Sequence, residues 1–349
     1  MSAVVAPTSP EEAAQALAEA TAARARVAVV GGGTRSRRGR PGPPADRELR
    51  TTGMDRVVAH EPADLTLTVE AGIAAAEVAR IAASAGQAWP QAEIREGSTV
   101  GGVLATAASG RERLRAGAVR DSLLEVVIAT GDGRLVTAGG RTVKGVSGYD
   151  IPRLAVGSLG TLGVIVQATL KLWPVPRARG WFGAEGTIEH RLATADRVLT
   201  GSVRPTSVLL LPGLLAVELT GPPEDVRAPE GFAPLPAAPA DPAGHGLVEA
   251  GVSPARLGAL ARHLEEAGLR YEAWMGVGIC RVAVTSADDV ARVRSQALAL
   301  GGHATVVDGP DDLRADPWGP EPPGVHLMKR LRDRFDPAGI LNPGMLVWA

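Results

Sequence analysis

Several common functional classes need residues that this sequence hardly contains. Cysteine occurs once, as Cys280, which excludes an internal disulfide framework and a cysteine-rich metal or iron–sulfur site within the chain. Aromatic residues make up 3% and the formal net charge is −1, so neither base stacking nor a basic nucleic-acid surface is expected. No apolar run reaches the roughly 18 residues of a membrane span. The start is alanine-rich with Glu11 and Glu12, unlike a signal peptide, and predicts a cytoplasmic location.

Glycine, by contrast, is abundant, with 43 residues, and it is clustered. Between Gly97 and Ile165 glycine clusters flank short strands rich in Val, Ile and Leu, and Gly131-Asp132-Gly133 predicts a hairpin turn. Glycine lets a backbone approach a large ligand and direct N–H groups at it. The stretch therefore favours a ligand cradle; a turn-rich β domain without a ligand is the alternative.

An earlier glycine loop has the composition of a phosphate site. A predicted strand at residues 26–30 runs into Gly31-Gly32-Gly33-Thr34-Arg35-Ser36, followed by further arginines, which suits a pyrophosphate. The P-loop sequence Gly-Lys-Ser/Thr is absent, and G-x-G-x-x-G fails at Ser36, so an ordinary Rossmann crossover is not predicted. A surface loop made soluble by its arginines remains the alternative.

The order of predicted elements indicates an α+β protein. We expect a two-lobed domain over residues 1–176, a small cap domain over 177–320 and a C-terminal segment over 321–349. The cap shows two β-α-β-like halves of ferredoxin-like type, with a Pro/Ala-rich loop at 222–242. Residues 326–335 predict a basic amphipathic helix that ends at the sequence DPAGILNPG.

Taken together, the motifs resemble the FAD-binding superfamily of vanillyl-alcohol oxidase and p-cresol methylhydroxylase. Within it they are most similar to the FAD-binding E subunits of bacterial glycolate oxidases. The resemblance covers residues 26–176 and 326–344, and the middle only by pattern. The segments that carry it are VVGGGTR (29–35), DLTLTVEAG (64–72), STVGGVLATAASG (98–110), GAVRDSLLEVVIATGDG (117–133), GGRTVKGVSGYD (139–150), GSLGTLGVI (157–165) and FDPAGILNPG (335–344).

The resemblance implies FAD as the cofactor and assigns four groups of residues to it, with Asn342 returning to the flavin. The loop that holds the pyrophosphate would consist of Gly31, Gly32, Gly33, Thr34 and Arg35, and the other face of the pyrophosphate and the ribityl chain would contact Ser98, Thr99, Gly101 and Gly102. The flavin ring or its support would involve Ser109, Gly110, Gly117, Arg120 and Asp121. The adenosine half would contact Gly160, Thr161, Gly163 and Ile165. Bracing of loops is the stronger explanation for Asp121, Lys144, Tyr149 and Asp150.

Two departures from the family pattern limit what the resemblance implies. Covalent members carry a His in the first glycine loop, which here reads GGGTRS, so we expect FAD to be dissociable. The His-Gly-Asp-Gly-Asn-type metal and substrate motif of the D subunit and D-lactate dehydrogenases is also missing. The six histidines are isolated in sequence, so no metal is expected and the catalytic residues stay unassigned.

The resemblance implies an FAD-binding subunit of a complex that oxidises glycolate, a 2-hydroxy acid, to glyoxylate. The implied partners are a catalytic flavoprotein subunit and an iron–sulfur subunit, and contact with the membrane would come only through them. Two alternatives stay open: a self-sufficient FAD-dependent 2-hydroxyacid dehydrogenase, and a non-catalytic structural or electron-relay flavoprotein subunit.

Overall fold

The computed structural model describes residues 2–140 and 149–346. Lys144 and Gly145, in the predicted 139–150 motif, lie outside the described residues.

The described part of residues 2–174 contains ten strands and five helices. They are β1 (Ala3–Val5), α1 (Pro10–Ala22), β2 (Val27–Val30), β3 (Arg47–Arg50), β4 (Val57–Glu61), β5 (Thr66–Glu70), α2 (Ala75–Ser84), β6 (Gln87–Ala88), α3 (Val100–Ala105), α4 (Arg113–Ala116), β7 (Leu123–Ala129), β8 (Leu135–Gly139), α5 (Ile151–Ala155), β9 (Val164–Lys171) and β10 (Trp173–Pro174).

The first helix forms where the sequence predicts it. Ser9 is the N-cap, and its hydroxyl accepts a hydrogen bond from the Glu12 backbone N–H, while Pro10 occupies the first helical position. The alanine face, with Leu17, is buried against β2 and the start of β9. The helix therefore closes the apolar core on one side of the glycine loop that follows β2.

Two main sheets make up the described part of residues 2–174, and residues of both contribute to the core under α1. A three-stranded parallel sheet has the order β1-β3-β2, and a five-stranded antiparallel sheet has the order β4-β5-β9-β7-β8. β6 and β10 form a short antiparallel pair. Helices α2 and α3 cover the core of the five-stranded sheet, and the end of β2 faces the start of β9. This two-lobed α+β arrangement leaves glycine-rich connections between the lobes.

Residues 178–308 form one antiparallel sheet of eight strands with three helices. The elements are β11 (Ala178–Glu185), α6 (Ile188–Thr200), β12 (Ser207–Leu211), β13 (Leu214–Gly221), β14 (Ala233–Leu235), β15 (Gly246–Gly251), α7 (Leu257–Glu266), β16 (Tyr271–Trp274), β17 (Ile279–Val284), α8 (Ala287–Ala299) and β18 (His303–Asp308). The sheet order is β14-β11-β13-β12-β16-β17-β15-β18.

Each half of this sheet has the strand order of a ferredoxin-like unit, and β12 joins the halves by pairing with β16. Residues 207–220 form a hairpin, because Pro212-Gly213 turns the chain with Gly213 at φ +76°. The sequence prediction differs from the structure in one place. The predicted loop at 222–242 contains β14, which pairs with β11 at the sheet edge.

The C-terminal segment returns to the first lobe, as predicted. Helix α9 (Val325–Phe335) ends where the Gly131 N–H donates to the Phe335 carbonyl. The buried Asp336 carboxylate then accepts from the backbone N–H groups of Ile340 and Leu341, and Leu341 pairs with Val27. Among the described residues, none of the helices has the length and apolar character needed to cross a membrane.

Candidate functional site

A cleft with an empty volume of about 850 Å³ opens where the two lobes of the N-terminal part meet. The glycine loop after β2 forms one wall and the first turn of α3 forms another. The segment from Leu159 to Ile165 and the returning C-terminal segment close the remaining sides. Backbone atoms therefore make up much of the wall, since glycine contributes no side chain.

Close contact between backbones explains the glycines of the first loop. A Cβ atom at Gly32 would overlap the carbonyl oxygen of Gly97, and one at Gly31 would overlap the Thr99 hydroxyl. That hydroxyl is already used, because it accepts a hydrogen bond from the Gly102 N–H at 3.2 Å and caps α3. The loop and α3 thus pack without side chains between them, which leaves the cleft open.

Asn342 holds three parts of the cleft wall together. Its side-chain oxygen accepts from the Val29 N–H at 2.9 Å, and its amide group donates to the Leu159 carbonyl at 2.8 Å. Its backbone adopts φ +41°, a left-handed conformation that asparagine tolerates better than most residues. The residue lines the cleft, as the resemblance implied, and it also fastens the end of β2 to the loop at Gly160.

Two arginines in the cleft have buried N–H groups without a partner among the described residues. Arg35 donates to the Glu93 carbonyl at 2.7 Å, yet its Nη1 atom is buried and unbonded. Arg38 has a buried, unbonded Nε atom. Burial lowers the pKa of Arg35 to about 10, against the opposing charge of Glu93, and it also lowers the pKa of Arg38. Such donors are unfavourable unless an acceptor binds to them, which indicates an anionic ligand.

Behind the cleft, a buried ion-pair network connects the first lobe to the eight-stranded sheet. Arg281 of β17 donates to the Glu93 carboxylate at 2.6 Å and to Glu249 of β15 at 3.3 Å, and its guanidinium lies 4.7 Å from the Trp274 ring centre. Burial opposes ionisation of Glu93, but Arg281, Arg95 and Arg35 outweigh it and lower the pKa of Glu93 to about 2. Glu93 is therefore ionised at neutral pH and pairs with the positive charges beside the cleft.

The structure brings most of the predicted cofactor residues together. Those that line the cleft are Gly31, Gly32, Gly33, Thr34, Arg35, Thr99, Gly101, Gly102, Gly160, Gly163, Ile165 and Asn342.

Seven predicted residues lie outside the cleft lining and contact other parts of the chain. They are Ser98, Ser109, Gly110, Gly117, Arg120, Asp121 and Thr161. Ser98 bonds the backbone of Arg95, Thr161 donates to the Ser158 carbonyl, and the Ser109 hydroxyl accepts from the Val119 N–H. These bonds shape turns near the cleft, so any contact with the cofactor stays a prediction for these residues.

Several lining residues escaped the sequence prediction, notably Arg38, Thr51, Thr106 and Met345. Arg38 had a local signal, because it lies in the same loop as Arg35 and could have been included with it. Thr51 and Met345 had no such signal in the sequence, because only the folding of the chain brings them to the cleft. The same is true of the Glu93–Arg281 pair, whose members are 188 positions apart.

These features fit FAD. Unbonded guanidinium N–H groups suit a pyrophosphate, and glycine backbone suits close approach by an extended dinucleotide. Gly31–Gly33, Thr34, Arg35 and Arg38 would hold the pyrophosphate, with Thr99 to Gly102 facing them. In the described residues, no group of three or more His, Cys, Asp or Glu side chains could hold a metal ion.

Comparison with known proteins agrees with this fit. Residues 1–139 match the family model of the FAD binding domain. The chain is similar to alkyldihydroxyacetonephosphate synthase in two crystal forms, with TM-scores of 0.70 and 0.69 over 97% of this chain at 18% and 17% identity, which shows a shared fold. The chain therefore has the FAD-binding fold of the vanillyl-alcohol oxidase and p-cresol methylhydroxylase type.

Among curated proteins, similar segments occur in glycolate oxidase subunits and D-lactate dehydrogenases. The chain is 31% identical over 222 residues to glycolate oxidase subunit GlcD of Bacillus subtilis, covering 62% of this chain and 47% of that protein. It is 38% identical over 124 residues to glycolate oxidase subunit GlcE of Escherichia coli, covering 35% of each. It is 42% identical over 92 residues to D-lactate dehydrogenase of Archaeoglobus fulgidus, covering 26% of this chain and 21% of that protein.

The matched segments thus span less than half the length of each of these relatives. The fold class and FAD as the cofactor predicted from the sequence are confirmed, and the matched relatives are oxidases and dehydrogenases by name, in agreement with the predicted oxidoreductase class. The substrate and the assembly stay predictions.

We expect FAD to leave the protein on acid denaturation, because residues 31–36 contain no histidine to form a covalent bond. After acid precipitation, the yellow flavin should be in the supernatant; flavin retained in the washed pellet would contradict the prediction. FAD should also bind more tightly than FMN, because Gly160 and Gly163, which the resemblance assigns to the adenosine half, line the same cleft. Equal affinity for FAD and FMN would remove that assignment.

Proposed function

We propose that this chain is the FAD-binding subunit of a glycolate oxidase complex that oxidises the 2-hydroxy acid glycolate to glyoxylate. The observation that carries the proposal is the glycine-walled cleft with the buried, unbonded N–H groups of Arg35 and Arg38. The named glycolate oxidase subunits among the similar proteins support the choice of substrate.

FAD, when bound, supplies a two-electron acceptor for the hydride of the substrate. The residues of this chain hold and orient it. The loop at 31–35 and the first turn of α3 fix the pyrophosphate between two backbones. The Glu93–Arg281 network keeps positive charge at the junction with the eight-stranded sheet. Positive charge there favours anionic groups of the substrate and of the cofactor.

The proposal includes docking to partner subunits, and helix α9 has the surface for it. Val325 is the only buried residue of this helix, and Leu327, Met328 and Leu331 are 52%, 38% and 38% exposed. Their spacing puts these three apolar side chains on one face. Four cationic residues and a single carboxylate surround them. We propose that a partner subunit with an acidic rim covers this face.

Turnover by the purified chain tests the proposal. With FAD at saturation, we expect negligible glycolate-dependent dye reduction by the chain alone, because it lacks the histidine-rich substrate motif. Co-expression with the products of neighbouring genes should restore turnover and yield a complex that co-purifies. The dye assay compares the two preparations at equal flavin content.

Two outcomes would replace the proposal. Turnover of roughly 10 per second by the chain alone, an ordinary enzyme rate, would establish a self-sufficient 2-hydroxyacid dehydrogenase. A complex in which glycolate fails to reduce the flavin of this chain, while the partner flavin is reduced, would establish a structural or electron-relay subunit. D-Lactate, tested in parallel, controls for the choice of hydroxy acid.

A further inference from the structure

Residues 309–318, here called the linker, follow the last strand of the eight-stranded sheet and lie between that sheet and the FAD cleft. One side of the linker is attached to the sheet. Leu313 is 4% exposed and packs in the core that the sheet forms with its helices. Arg294 of α8 donates to both the carboxylate and the carbonyl of Asp316, each at 2.8 Å. The linker therefore moves with the sheet.

The other side of the linker bonds two backbone carbonyls at the edge of the FAD cleft. Arg314 Nη1 donates to the Gly39 carbonyl at 3.1 Å, and the Trp318 indole N–H donates to the Met345 carbonyl at 2.9 Å. Met345 lines the cleft, and a Cβ atom at Gly39 would overlap the Met345 sulfur atom. Gly39 and Met345 thus pack directly against each other, and the linker fastens both of them.

Gly39 matters for the cofactor because it follows Arg38 directly. Arg38 lines the FAD cleft, and its Nε atom is buried without a partner among the described residues. Gly39 is itself buried and has φ +77°, a conformation that favours glycine. Since Arg314 fixes the carbonyl of this residue, it also fixes the backbone from which the Arg38 side chain enters the cleft.

The bonding of Arg314 is incomplete for a buried arginine. Its side chain is 10% exposed, and its Nε atom is buried with no partner in the described part of the chain. It also pairs with Asp311, but that carboxylate is 78% exposed, so it offsets only part of the cost of burying the guanidinium. A partly bonded, buried guanidinium is unfavourable for folding alone, which points to a role in ligand binding.

We infer that Arg314 is a positioning residue for FAD: it holds the Gly39 backbone so that Arg38 faces the pyrophosphate. Trp318 acts in the same way on the wall at Met345, through one neutral hydrogen bond. Because the coupling between two sites is reciprocal, bound FAD in turn stabilises the linker. The inference requires FAD binding but no oxidation of glycolate, so it is tested independently of the proposed function.

Fluorescence titration of the full apoprotein with FAD tests the inference by affinity. Arg314→Met should weaken FAD binding at least about tenfold, because the glycine loop loses a hydrogen bond from a charged donor. Arg314→Lys can still donate to the Gly39 carbonyl and should recover part of the affinity. Trp318→Phe keeps an aromatic ring and removes the N–H group, so it should weaken binding by about threefold.

Arg294→Met is the matched control. Arg294 is also nearly buried, at 15% exposed, and it also bonds the linker, but its hydrogen bonds go to Asp316 and Ala304 instead of the glycine loop. This variant should bind FAD like the wild type. Equal weakening by Arg294→Met and Arg314→Met would assign the effect to general loosening of the linker and would overturn the positioning role. Wild-type affinity of Arg314→Met would overturn it too.

Hydrogen exchange gives a second readout, which a purely structural role of Arg314 would not change. In the wild type, FAD should slow the exchange of backbone amides in the linker, and in Arg314→Met this protection should be smaller. Linker exchange that is the same with and without FAD in the wild type would contradict the coupling. If Arg314→Met does not fold, wild-type FAD affinity in both Arg314→Lys and Trp318→Phe would overturn the inference instead.

Discussion

Replacing Gly102 by Val should weaken FAD binding at least about a hundredfold, or about 2.8 kcal/mol, while the chain stays folded. Gly102 lies in α3 and lines the cleft, and a Cβ atom there would meet only the Thr99 hydroxyl, at 3.1 Å. The two methyl groups of valine would fill space that the cofactor needs. Helix propensity does not oppose the change, because glycine is a poorer helix former than valine. FAD affinity from fluorescence titration and folding from circular dichroism measure the two effects separately.

Gly324→Val is the matched control, because nothing lies within 4 Å of a Cβ atom at that position and it is far from the cleft lining. Gly160→Val should also lose FAD, but with damage to folding. Gly160 has φ +69°, and its Cβ atom would lie 2.6 Å from the Asn342 amide nitrogen that fastens the wall. Full FAD binding by Gly102→Val would show that the cofactor lies elsewhere.

Replacing Arg281 by Met should lower the free energy of unfolding by about 3–5 kcal/mol, because it leaves the buried partners of an ion-pair network uncompensated. The Arg281 side chain is 9% exposed. Its removal would leave Glu249 without its ion-pair partner, and the carbonyl of Ser109 would lose a donor at 3.3 Å. Urea denaturation of wild type and variant measures the difference.

Arg262→Met is the control for the general effect on stability of replacing an arginine by methionine. Arg262 pairs with Glu189 on the surface, where the two side chains are 43% and 64% exposed, and its loss should change stability little. Equal stability of Arg281→Met and wild type would show that the network contributes nothing.

The loss of folding stability caused by Arg281→Met should also become smaller as the pH falls. The pKa of Glu93 is lowered from 4.5 to about 2, so its ionised form stabilises the fold fully above pH 4.5. That contribution is lost as the pH falls toward 2, because the unfolded chain, in which Glu93 has its ordinary pKa, takes up a proton in this range while folded Glu93 stays ionised. The stability difference between wild type and variant should therefore shrink over this range.

Much of the fold could be predicted from the sequence because its signals are local. Ser9 and Pro10 determine the start of α1, and the two β-α-β-like halves predicted for the cap agree with the two halves of the eight-stranded sheet. Hydrophobic periodicity and turn residues act over a few positions, and that range is sufficient for such elements. The edge strand β14 was missed because its pairing with β11 comes from a distant part of the chain.

The sequence by itself indicated the glycine loops, since close approach and left-handed backbone both favour glycine. It also shows directly that the first glycine loop contains no histidine, and it predicted the order of the strands and helices. Only the tertiary structure decided which charged side chains have an oppositely charged partner. Arg35 and Arg38 are two among many arginines in the sequence, and burial makes their unbonded groups significant. The energy of a charge depends on its partners and on its access to water, and both are fixed only when distant segments such as Glu93 and Arg281 meet.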